Sequence, residues 1–180
     1  MPTPRIHKDN ENLTHFITIT TIEWLDIFTK KEYFDILINC LKFCRKKLGL
    51  LLYEFVFMTN HVHLIVAAKE GYKLSQIISS FKQFTSKEIM GILKNDNRKY
   101  ILVLLEKSFS KKKDIRRQIW QRENWPEAIE TEKFLDQKIN YMYNNPVVKG
   151  YVEKPEDWIY SSARNRALED GGIIEIDSWE

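Results

Sequence analysis

Two histidines one residue apart, His61 and His63, open an apolar segment that reads NHVHL at 60–64. On a strand, alternate side chains share a face. Both imidazoles therefore point one way, about 7 Å apart at their Cα atoms, and Val62 and Leu64 point the other way, towards a core. Two imidazoles so placed can share one cation. The competing reading of the same residues is an ordinary pair of surface or core histidines. A bound metal also needs a third ligand and open positions for substrate. Two later segments can supply that ligand: 123–127, with carboxylates at Glu123 and Glu127, and the end of a late helix, with amides at Asn144 and Asn145. Spacing alone does not choose between them.

These residues must be held by regular elements, and the apolar periodicity supplies candidates. Residues 15–22 (HFITITTI) alternate and are rich in β-branched types, as a strand should be. Residues 31–48 carry apolar side chains near helical spacing, end on a basic turn and meet Gly49. Residues 51–58 and 61–67 read as two strands joined by a tight connection. Residues 74–93 form a second helix with Ile77, Ile78, Phe81, Ile89 and Leu93 as its apolar stripe. Residues 100–105 (YILVLL) fit either a fourth strand or a buried helix. A third helix is predicted over 131–144, with Thr131 as N-cap and an end near Asn145-Pro146. A short helix at 160–168 and a short strand at 173–176 complete the tail. The order β-α-β-β-α-(β)-α predicts a split βαβ sheet with helices packed on one face.

The chain has 180 residues, 43% hydrophobic and 29% charged, in keeping with one globular domain. No secretory pattern opens it and no stretch is long enough to span a membrane, so a cytoplasmic protein without a membrane partner is expected. Cys40 and Cys44 sit four apart on the first helix and read as two small buried apolar residues. The net charge of +3 is mild but unevenly spread. Lys107, Lys111, Lys112, Lys113, Arg116, Arg117 and Arg122 cluster, as do Lys42, Arg45, Lys46 and Lys47. The denser first group suits a polyanion contact; a solvated loop would show the same composition.

The segment MTNHVHLIV resembles the "PNHVHLLV" segment of IS200-like transposases, a branch of the HUH nucleases. TEKFLDQKINYMYNNPVVKGYV followed by DWIYSSARN resembles the late "YIHxNPV" and "YSSAR" segments of the REP-associated tyrosine branch, and ISSFKQFTSKEI resembles the helix after its histidine strand. These segments fall in the expected order over roughly residues 12–166. The resemblance implies an α+β fold, a ferredoxin-like or RRM-like antiparallel sheet with a C-terminal helical extension. The core would span about 12–150 and the tail 151–180, in a homodimer. It also implies a divalent metal, Mg²⁺ or Mn²⁺, held by His61, His63 and one further residue, with no nucleotide cofactor. Tyr141 falls on the tyrosine nucleophile, and Asn145, one turn later, on the third ligand. Tyr143 is the backup nucleophile, standing where the family often has histidine. Glu127 is the backup ligand, following WQRE at 120–123, which resembles the family's "WQRR". The expected activity is cleavage and rejoining of single-stranded or hairpin DNA, that is, transposition. The alternative is a domesticated, non-catalytic hairpin-DNA-binding protein. Lys82, Lys87, Lys111, Lys112, Lys113, Arg116, Arg117 and Arg122 are expected on DNA phosphates, and Trp120 and Trp125 on bases.

Overall fold

The computed structural model describes residues 6, 10–110, 118–168 and 172–179. Four strands, β1 (His15–Thr21), β2 (Leu50–Phe57), β3 (His61–Ala68) and β4 (Trp120–Ala128), form one antiparallel sheet in the order β2-β3-β1-β4. Helix α1 (Lys31–Lys47) carries the chain from β1 to β2. Helices α2 (Leu74–Asn95) and α3 (Lys99–Ser110) lie between β3 and β4. This is the split βαβ arrangement predicted from the sequence.

The strands obey the period of two. Ile17, Ile19, Val62, Leu64 and Val66 join Leu37, Leu41, Ile77, Phe81, Ile101 and Leu105 in the main core, on the face covered by α1, α2 and α3. Cys40 and Cys44 are buried in that core, as expected. Phe16, Val56, Met58 and Ile65 line the opposite face, where Met142 of helix α4 (Glu132–Val148) packs on them. The sheet is thus covered on both faces, with the late helix supplying the second cover.

In β2 the register shifts between Leu52 and Glu54, so Tyr53 is an extra residue opposite β3. That bulge reverses the alternation. Leu50, Leu52, Phe55 and Phe57 all reach the main core, and Glu54 goes to the α4 face. Glu54 is 1% exposed, and its carboxylate accepts hydrogen bonds from Tyr143 Oη (2.5 Å), Ser162 Oγ (2.6 Å) and Arg166 Nη2 (3.0 Å). A buried charge needs such partners. Three of them come from α4 and α5 (Ser162–Leu168), so the carboxylate fixes both helices to the sheet.

The outer edge of β2 is met by the chain's own C-terminal part. Phe57 N donates to Tyr160 O, Phe55 N to Ser162 Oγ and Leu52 N to Asp177 Oδ2, while Leu52 O accepts from Asp177 N.

Three elements differ from the sequence reading, and a fourth falls on one of the two alternatives left open there. Residues 100–105 are helical, within α3, because Ile101 and Leu105 are four apart and both buried, while Val103 and Leu104 are exposed. β4 was not foreseen: it carries Arg122, Glu123 and Pro126, and Pro126 is tolerated because β4 is an edge strand. Residues 173–176 form no strand; Asp177 reaches β2 through two hydrogen bonds instead. Helix α4 runs through Pro146 to Val148, beyond the predicted stop. Pro146 lies in the last turn and is buried, so its packing offsets the lost N–H bond and the crowding of its ring against the preceding turn, and the chain reverses just past the helix at Gly150, whose φ is +71°.

Candidate functional site

β3 delivers His61 and His63 to the α4 face, as the alternation predicted, with ring centroids 4.7 Å apart. Both are buried, at 5% and 2% exposure. Each ring is held through Nδ1: that of His61 lies 2.6 Å from Asn60 Oδ1, and that of His63 lies 2.8 Å from Thr18 Oγ1 of β1. A carbonyl oxygen only accepts, so His61 carries its proton on Nδ1 and leaves Nε2 bare. Burial keeps the rings neutral. It lowers the His61 pKa to about 4, with the Lys149 ammonium adding to the effect. It lowers that of His63 well below the ordinary value, with His61 and Lys138 contributing.

Asn145 is the residue that meets the pair. Its Nδ2 lies 3.4 Å from His61 Nε2 and 3.1 Å from His63 Nε2. Continuation of α4 past Pro146 makes this possible, because Asn145 remains on the helix surface one turn beyond Tyr141. With Nδ2 inward, the amide donates to the imidazoles. Turned over, it presents Oδ1, and three neutral acceptors then converge on one point. Two imidazole nitrogens and an amide oxygen suit a divalent transition ion better than all-oxygen Mg²⁺, so of the metals that the resemblance implies the residues present fit Mn²⁺ better.

Tyr141 stands over the same place. It is 54% exposed, and its ring meets His63 edge-on at 5.2 Å and Phe16 at 6.2 Å. Phe16 in turn stacks on His63 at 5.3 Å. Its phenol is therefore open to a substrate while its ring is seated. Tyr143, two residues on, points elsewhere. Its hydroxyl is bonded to Glu54, and burial, with the Glu54 charge second, pushes its pKa up. Tyr143 thus anchors α4 and is a poor source of phenolate.

Glu127 does not reach the histidines. It forms an ion pair with Lys138 Nζ at 2.5 Å, and that ammonium lies 4.4 Å over the Phe16 ring. Among the described residues no group of three or more His, Cys, Asp or Glu side chains could hold a metal. Among the described residues, Asn145 is the side chain placed to complete a three-ligand set with the two imidazoles.

The expected DNA contacts divide. Lys87 and Arg122 are exposed. Lys82 is not available: its Nζ donates to Gln121 O (2.7 Å), Arg122 O (3.1 Å) and Asn124 Oδ1 (2.8 Å), tying α2 to β4. Burial lowers its pKa to about 8, so it stays charged at neutral pH among those oxygens. Lys111, Lys112, Lys113, Arg116 and Arg117 lie outside the described residues. Trp120 cannot stack on a base, because it is 1% exposed and its Nε1 donates to Thr85 Oγ1. Trp125 is 56% exposed. Sequence reasoning missed Trp24, which is 58% exposed and lies 5.9 Å from the His61 ring. No local pattern marks it, since the chain brings it to the histidines only by folding. No helix among the described residues is long and apolar enough to cross a membrane.

Comparison with known proteins gives three findings. A solved structure of a REP-associated tyrosine transposase bound to a REP hairpin superposes with a TM-score of 0.69. The match covers 100% of this chain and 96% of that one, at 19% identity, and it shows the shared fold. A Haemophilus influenzae protein described as a REP-associated tyrosine transposase is 50% identical over 44 residues, which are 24% of this chain and 25% of that protein. The match therefore spans about a quarter of that relative's length. Finally, the family model described as "Transposase IS200 like" matches residues 11–110, a stretch that holds His61 and His63 and stops before Tyr141. Since that stretch is more than half of the chain, the protein belongs to the IS200-like transposase family.

Proposed function

We propose that this chain cleaves and rejoins single-stranded or hairpin DNA by metal-dependent phosphodiester transfer through Tyr141. The observation that supports it most is the placement of an exposed tyrosine and an amide on one face of α4, against two buried, neutral imidazoles. A divalent cation held by His61, His63 and Asn145 would polarise the scissile phosphate as a Lewis acid. Two imidazoles in the donor set favour Mn²⁺ over Mg²⁺. Tyr141 Oη attacks phosphorus and loses its proton. The bond to the 3′ oxygen breaks, that oxygen takes up a proton, and a 5′-phosphotyrosine remains. Because the phosphodiester is exchanged rather than hydrolysed, a DNA 3′ hydroxyl can reverse the step. Asn60 and Thr18 hold the imidazoles in orientation throughout, the usual task of groups behind metal ligands. Lys87 and Arg122, with the basic segment 107–117, would contact phosphates outside the reacting centre.

The test is incubation of the protein with labelled single-stranded and hairpin DNA and Mn²⁺, followed by denaturing gels with and without protease. A protease-sensitive adduct is expected, absent from Tyr141→Phe, and His61→Ala should abolish metal binding. Cleavage without an adduct would replace the tyrosine by an activated water. Binding without cleavage over a broad set of hairpins would leave a DNA-binding protein that has lost the reaction.

A further inference from the structure

The segment between β1 and α1 makes an unusual turn beside the histidines. Glu23 and Trp24, neither of them glycine, both have positive φ, 52° and 55°. Consecutive left-handed residues of this size are strained, and such strain persists only where surrounding contacts enforce it. Those contacts are present on both sides. Thr21 N donates to Asn60 O, Ile22 N donates to Ile119 O, and Thr21 Oγ1 donates to Leu25 O. Trp24 O accepts from Asn60 Nδ2 at 3.2 Å, and the same Asn60 takes the proton of His61 Nδ1 on its Oδ1. One side chain therefore couples the position of Trp24 to the orientation of His61. The indole gains little burial from this, since more than half of it remains in solvent. Among the described residues, its ring contact is the edge-on one with His61, at 5.9 Å. A strained backbone that holds a large aromatic ring in water, next to the candidate reacting centre, has no explanation in packing.

We infer that Trp24 is a stacking platform for an unpaired nucleobase, the base of the nucleotide adjoining the scissile phosphate. Every base has a π-face, and stacking on an exposed indole is sequence-tolerant and worth roughly 1–3 kcal/mol per base. The indole lies one ring contact from His61. A base stacked on its free face therefore belongs to a nucleotide next to the phosphate at His61 and Asn145, not to a distant one. Asn60 ties the backbone of Trp24 and the imidazole of His61 to one side chain, so a base seated on the indole also sets the register of the phosphate. This deepens the proposed function and rests on it, because it takes single-stranded DNA as the substrate.

The test uses three proteins, wild type, Trp24→Ala and Trp24→Phe, and three single-stranded substrates: intact, or abasic at one or the other of the two positions flanking the cleavage site. On intact DNA, Trp24→Ala should lower the ratio kcat/KM about 10- to 100-fold, as loss of one stacked base predicts, and Trp24→Phe should restore most of it. On one of the two abasic substrates, wild type should fall to the level of Trp24→Ala, and the substitution should then have no further effect. A 2-aminopurine at that position should be quenched on binding by wild type and not by Trp24→Ala. An equal penalty for Trp24→Ala on all three substrates, without quenching, would mean that the indole acts only through the fold, and the inference would be wrong. If wild type neither binds nor cleaves any of the DNAs, the proposed function itself fails and the platform falls with it.

Discussion

One strand serves two different faces of the sheet. Val62, Leu64 and Val66 of β3 enter a continuous apolar core under three helices, whereas His61, His63 and Ile65 of the same strand meet a single helix. The first face is closed and chemically silent. The second has a smaller apolar cluster, and polar groups fill its remaining space: the imidazole pair, Asn145, and the Glu54 network. The difference teaches that stability and chemistry are divided by residue parity rather than by position along the chain. Neighbours in sequence belong to different tasks.

Exchanging damage between the faces gives the largest expected effects. Tyr141→Phe should reduce cleavage by about 10³-fold or more, since covalent catalysis then lacks its nucleophile. Its denaturant midpoint should match wild type, because the hydroxyl makes no internal hydrogen bond among the described contacts. Leu64→Ala should do the opposite: a loss of about 2–5 kcal/mol in urea unfolding, with cleavage per folded molecule preserved. If Tyr141→Phe unfolds the protein, or Leu64→Ala abolishes cleavage while folded, the two faces are not separable.

The imidazoles also make the second face sensitive to pH. In the metal-free protein, His61 titrates near 4 when folded and near 6.5 when unfolded. As pH falls below about 6.5 the unfolded chain takes up the proton first, so the His61 contribution to stability declines until about pH 4 and then levels. That decline is about 3 kcal/mol, and His63 adds in the same direction. Chemical denaturation in a chelator across this range measures it. His61→Gln should flatten the slope, and Leu64→Ala should leave the slope unchanged while lowering the whole curve.

A smaller effect separates two tyrosines on one helix. Tyr143→Phe removes a hydrogen bond to the buried Glu54 carboxylate and should cost about 1.5–3 kcal/mol, with adduct formation retained. An adduct that vanishes in Tyr143→Phe, measured on folded protein, would move the nucleophile to that residue.

Much of this arrangement was legible in the sequence, for identifiable reasons. His61 and His63 could be placed because strand alternation is a local rule, and Tyr141 with Asn145 because the helical period is too. β4 was not legible: its buried pattern is irregular, and Arg122, Glu123 and Pro126 suit an edge strand whose partner, β1, is a hundred residues away in the chain. The continuation of α4 through Pro146 was missed because local propensity opposes it, and tertiary burial of Pro146 decides it. Lys82 looked like a phosphate contact because a lysine off the apolar stripe reads as solvated. Only the fold shows three oxygens around its ammonium. The tail was read as a strand at 173–176, whereas the chain satisfies β2 one residue further on, through the amide and carboxylate of Asp177, the latter also held by Arg45.

That last contact has a consequence for assembly. An edge strand with free amides and carbonyls invites another sheet to add to it, within a dimer or in an aggregate. Here residues 160–162 and Asp177 occupy the outward groups of β2 at Phe57, Phe55 and Leu52. The chain caps its own sheet on that side. A second copy that added a strand past β2 would have to displace these contacts first, so the sheet is closed on that side to extension by another chain.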